Sequence, residues 1–138
     1  GIEKVDKKLA SLFDLQLEEI IRGKNATATL ADVEGIQKTL DAYKLTGQDY
    51  LYEYIELIKG MKTGNTDKVL EMCKKVFPKM ADEKIAYLYF MPILSLKGKW
   101  NEKQKEELET LTEQLAEQVE MSSLKASLRN FKTAVARL

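Results

Sequence analysis

The side chains best suited to chemistry are carboxylates. Glu106, Glu107, Glu109, Glu113, Glu117 and Glu120 crowd one stretch of the chain. Inward carboxylates at helical spacing hold metal ions in helical bundles, but such sites commonly add histidine, and the chain contains none. The same spacing describes the solvated face of one helix, and that is the expectation for these residues. Without histidine there is no Ser-His-Asp or Cys-His pair and no usual zinc ligand set. Cys73, the single cysteine, falls on an apolar stripe and reads as inert core, not as a reactive thiol. No glycine-rich phosphate loop occurs, nor any run of basic residues interleaved with aromatics of the kind that binds single-stranded nucleic acid. Asn25-Ala26-Thr27 matches a glycosylation acceptor and reads as chance in a chain without a visible signal peptide. The expectation is a non-enzyme with no cofactor and no metal; a Glu or Lys in an apolar pocket is the enzymatic alternative.

What must position any site is helix. Leu, Lys, Glu and Ala dominate the 138 residues, with two prolines and seven glycines, a composition of strong helix formers. Apolar residues make up 44% and charged residues 32%, a globular balance. Lys and Arg number 22, as do Asp and Glu, so no net basic field recruits nucleic acid. One cysteine allows no intrachain disulfide and points to a reducing, cytoplasmic setting. No apolar run reaches the ~18 residues of a membrane span. Gly1 in place of Met is compatible with a processed or truncated start and with an upstream leader or domain.

Apolar residues recur at three and four almost throughout. Ile2, Val5, Leu9, Leu12, Gln16 or Leu17, and Ile20 step by three and four and predict a first helix stopping near Gly23. Thr29 with Asp32 starts a second through Val33, Ile36, Leu40 and Tyr43, closed by Gly47. Thr46 with Asp49 caps a third, ending around Gly60–Gly64. Thr66–Phe77 is a fourth, ended by Pro78. Asp82 caps a fifth through Leu96, in which Pro92 bends the helix or opens a pocket. Asn101 with Gln104 caps a sixth to about Glu120. Ser122 starts a seventh, unless 101–137 is one long helix. Short connections predict antiparallel hairpins.

Two features point to a repeat. Gly64-Asn-Thr-Asp-Lys-Val69 and the following helix resemble the turn and second helix of a tetratricopeptide repeat, and Gly98-Lys-Trp-Asn repeats the turn 34 residues on. Gly35 lies 34 residues before Val69. The chain thus resembles the tetratricopeptide-repeat family, as one domain over 1–138 with units 16–49, 50–83 and 84–117 and a capping helix 122–138. Gly23, Gly35, Ala42 and Val76 match the family's small or apolar positions. Glu19 and Glu53 stand where an aromatic is usual, Pro78 comes early, and Lys103 and Glu107 fall at positions normally buried. The resemblance implies an all-α, right-handed superhelix of stacked hairpins; a related helical bundle is the alternative. It also implies a concave groove for a protein or peptide, lined by Leu51, Tyr54, Ile58 and Lys62 and by Ile85, Leu88, Pro92 and Ser95. The bland reading makes Tyr54, Ile58 and Leu88 ordinary core.

The end of the chain offers other surfaces. Residues 101–120 hold seven acids against two lysines, whereas 121–138 hold Lys125, Arg129, Lys132 and Arg137 and no acid. The latter helix can dock on an anionic membrane or acidic partner; its simpler role is to pack Leu124, Leu128, Phe131, Val135 and Leu138 on the acidic helix before it. The leading function is protein or peptide binding, as an adaptor or the sensing part of a regulator. The alternative is a self-associating bundle, a homo-oligomer joined through 101–138.

Overall fold

A computed structural model describes the backbone of residues 2–24, 27–44, 49–79 and 83–138, and side-chain surroundings for 7–24, 27–44, 49–78 and 88–138. Over these residues the fold is all-α. The helices are α1 (Ile2–Ile21), α2 (Leu30–Tyr43), α3 (Asp49–Thr63), α4 (Thr66–Val76), α5 (Glu83–Ser95), α6 (Glu102–Gln118) and α7 (Ser122–Val135), with a 3-10 turn at Phe77–Lys79.

Local chemistry sets the ends. Thr29 Oγ1 accepts from the Asp32 N–H at 3.2 Å while Asp32 Oδ2 accepts from the Thr29 N–H at 2.9 Å. Asn101 and Gln104 make the same reciprocal box at α6, at 2.8 and 2.9 Å. Each box satisfies two donors that a helix start leaves orphaned. Gly64 and Gly98 follow α3 and α5 at φ +68° and +89°, a conformation that costs other residues a Cβ clash. The two turns then differ. Asn65 caps α4 directly, its Oδ1 accepting from Lys68 N–H at 3.1 Å, whereas Lys99 and Trp100 separate Gly98 from the cap Asn101. α2 ends earlier than expected: Lys44 itself takes the left-handed turn, at φ 49°. Gly47, Thr46 and Asp82, read as stop and caps, lie outside the described residues. Pro78 does end α4, inside the 3-10 turn. Residues 101–138 form two helices, because Val119 is extended at ψ 147° with its side chain buried.

α3 is the centre of the molecule. It packs against α1, α2, α4 and α5, while α6 packs on α4 and α7, and α5 reaches α1, α4 and α7. Leu51, Ile55, Leu57 and Ile58 of α3 are wholly buried. α3 and α4 run antiparallel, joined by ion pairs Glu56–Lys68 and Glu53–Lys75. They pack tightly at Gly60, where an added Cβ would stand 3.0 Å from Val69 Cγ2 and 3.3 Å from Lys68 Cβ. Tyr52 Oη donates to Asp41 at 2.8 Å and Lys59 Nζ to Gln37 at 2.6 Å, tying α2 antiparallel to α3. α4 and α6 run parallel: the Gln104 amide donates to Thr66 Oγ1 and Asp67 Oδ1 at 2.9 and 2.7 Å, and Lys74 pairs with Glu107 at 3.2 Å. One hydrophobic cluster draws on all seven helices.

The inward stripe of α1 differs from expectation. Ala10, Leu17, Ile20 and Ile21 are buried and Phe13 half-buried, whereas Leu12 points outward. α1 carries apolar residues on two faces, and only packing decides between them.

Candidate protein-binding surface

The residues expected to line a groove are largely core. Leu51, Tyr54, Ile58 and Leu88 are buried among other apolar side chains, and Pro92 is buried within α5. Lys62 is half-exposed and Ser95 exposed, its hydroxyl donating to the Pro92 carbonyl at 2.8 Å. Ile85 belongs to α5, but its side chain lies outside the described residues. The physical reason is the contact of α1 with α5. In an open superhelix the first helices of successive units leave a shared hollow. Here the flanking helices α1 and α5 touch each other, and the α3 positions expected to face a ligand are covered. Near Pro92, Trp100 packs at the end of α5 and donates from Nε1 to the Ile93 carbonyl at 3.0 Å.

The apolar face of α7 is also inside. Leu124, Leu128, Phe131, Val135 and Leu138 are buried, and the Phe131 ring stacks on Phe90 at 3.9 Å between centroids. Lys132 and Arg129 turn to Glu113 at 3.4 and 4.0 Å. Leu108 and Leu115 of α6 are buried too. The side chains that would have joined copies through 101–138, or lain on a membrane, are therefore used within the chain. No helix of the described residues is long and apolar enough to cross a membrane.

Glu106, Glu109, Glu113 and Glu117 line a solvent-open groove of about 510 Å3 along α6. Among the described residues no group of acids, cysteine and histidine gathers to hold a metal ion. Cys73 is fully buried, and burial pushes its thiol far up from the ordinary value, which disfavours the nucleophilic thiolate. Asn25 of the glycosylation match lies outside the described residues.

A cleft that the sequence did not announce lies between α1 and α2. Gln16, Glu19 and Ile20 line it from one side, Ala28, Ala31, Asp32, Gly35 and Ile36 from the other, around about 380 Å3. The Phe13 and Tyr43 rings, 6.5 Å apart and tilted, bring the two helices together at one end. Away from that contact the wall of α2 is low, and a Cβ added at Gly35 would meet nothing within 4 Å. The floor is apolar: Ile20 is buried and Ile36 half-buried. The signal was in the sequence as Ala28, Ala31 and Gly35 at helical spacing, but small residues serve close packing equally well. Outside this cleft, Leu12 and Leu15 of α1 and Met91 and Leu94 of α5 expose large apolar side chains. Comparison of the chain with protein-family models, with curated proteins and with solved structures finds no match.

Proposed function

We propose that the chain is a non-catalytic protein- or peptide-binding module of tetratricopeptide-like hairpins, and that it takes a segment of its partner between α1 and α2. The observation that carries this reading is the cleft itself, with its apolar floor, its low wall at Ala31 and Gly35, and its Phe13–Tyr43 end. An occupant burying apolar side chains on Ile20 and Ile36 gains roughly 25 cal/mol per Å2 removed from water. The low wall lets its backbone approach α2 closely, as small residues do at helix contacts generally. The repeat is supported by the parallel α4 and α6, whose contacts join residues 37 and 38 apart at Gln104 and 33 apart at Lys74–Glu107, close to the 34-residue spacing of Gly64 and Gly98.

A photo-reactive phenylalanine at the exposed Gln16, on the wall across from Gly35, tests the site in cells of the source organism, with the same residue at the exposed Thr110 of α6 as control. A different protein crosslinked from position 16 alone, and no longer crosslinked when Gly35→Trp fills the cleft of a folded protein, is the expected result. Identical crosslinks from both positions, or none from 16, would remove the cleft reading.

A further inference from the structure

We infer that the outward face of α1 pairs with the same face of a second copy of the chain, antiparallel, about a two-fold axis passing between Phe13 and Asp14. Leu12 and Leu15 are the most exposed large apolar side chains among the described residues, at 60% and 55%. Singly exposed apolar residues need no explanation. These two adjoin on one stripe with Lys8 and Glu19, both exposed, one turn beyond at either end. The spacing of 8, 12, 15 and 19 is four, three, four, the a/d seam of a coiled coil. It lies opposite the stripe of Ala10, Leu17 and Ile21 that α1 gives to the core.

The order of charges along the seam selects the partner and its direction. In an antiparallel pair centred between residues 13 and 14, Leu12 meets Leu15 of the second copy and Lys8 meets Glu19, with both pairs made twice. A parallel pair would set Lys8 on Lys8 and Glu19 on Glu19, and like charges facing each other are destabilising. The helix is thus its own complement in one orientation only, as an isologous two-fold interface requires. One helix pair falls below the standard area of a stable interface, so the dimer forms at high concentration. The inference does not rest on the α1–α2 cleft, although Glu19 borders both.

Sedimentation equilibrium of the full chain over a wide concentration range is the test, with circular dichroism checking each variant's fold. Wild type is expected to dimerise, and Leu12→Asp/Leu15→Asp to weaken dimerisation at least about tenfold, since it sets four carboxylates in the seam. Lys8→Glu alone and Glu19→Lys alone are each expected to weaken it about three- to tenfold at low salt, and less at high salt. The double swap Lys8→Glu/Glu19→Lys is expected to return to within about twofold of wild type. Residues 8 and 19 lie three turns apart on one helix, so rescue cannot arise within a chain. A monomer at every concentration, a dimer indifferent to Leu12 and Leu15, or swaps that add without compensating would each overturn the inference. A monomer that crosslinks a different protein from position 12 would assign the face to that partner instead.

Discussion

The Gln104 side-chain amide donates to the Asp67 carboxylate at 2.7 Å, joining the first turn of α6 to the first turn of α4. Its other end is also occupied, since Gln104 Oε1 accepts from the Asn101 N–H at 2.9 Å. A buried amide with both ends satisfied fixes the register of two parallel helices. Gln104→Leu leaves donors and acceptors stranded and is expected to cost about 1–3 kcal/mol in urea unfolding. Gln104→Glu retains the cap acceptor but faces Asp67 with a second carboxylate. Its deficit relative to wild type should shrink as pH falls and one acid takes up a proton. A deficit independent of pH would count against the contact.

Two glycines inside helices should respond oppositely to alanine. At Gly35 of α2 an added methyl meets nothing within 4 Å, so Gly35→Ala gains the usual helix-propensity difference, about 0.5–1 kcal/mol. At Gly60 it stands 3.0 Å from Val69 Cγ2, so strain at the α3–α4 crossing outweighs propensity and Gly60→Ala is expected to lose about 1 kcal/mol. Thermal melts of both variants decide the matter; equal gains would mean that the crossing yields.

Tyr89 is wholly buried against Phe77, and its hydroxyl has no partner among the described residues. Burial pushes its ionisation well above the ordinary range. A hydroxyl held away from water without a bond costs stability, so Tyr89→Phe should be neutral or stabilise by up to about 1 kcal/mol. A clear loss in chemical denaturation would reveal a bonded hydroxyl.

Glu56 supplies a pH dependence. The Lys68 ammonium bonded to its carboxylate, with Lys59 also near, holds Glu56 below its ordinary value of 4.5, against the opposing effect of burial. The unfolded chain therefore binds the proton first on acidification. The contribution is complete above the ordinary value and is lost as pH falls through the depressed one. Both partners are about a third exposed, so solvent screening keeps the contribution to roughly 0.5 kcal/mol. Lys68→Met should flatten the fall of stability in that acid window and leave the slope near neutrality unchanged. An unaltered acid limb would show that Lys68 does not set it.

What the sequence carried legibly was local. Thr29 with Asp32 and Asn101 with Gln104 announce helix starts because the side chain and the backbone it satisfies lie three residues apart. The buried set of α4, Val69, Leu70, Cys73 and Val76, follows from period alone, since that helix has one apolar face. α1 has two, and Leu12 went to the wrong one because nothing nearby in sequence says which face α3 will cover. The expected groove failed for a related reason. Tyr54, Ile58 and Leu88 are spaced like a binding surface and like a core, and the contact of α1 with α5 that distinguishes them joins residues far apart in the chain. Gly60 read as part of a helix end; that it is a tight contact between two helices requires knowing where α4 lies.

The packing of four helices against α3 bears on how this chain can change over generations. Such a helix keeps only the partly exposed edge of Tyr52, Glu56 and Lys59 on which residues can drift, and a substitution at the wholly buried Leu51, Ile55 or Ile58 disturbs the core it shares with its neighbours. α1, by contrast, presents a whole outward stripe that the core does not constrain. Innovation in this molecule has room at its periphery, while α3 preserves the arrangement that gives such novelty a place to stand.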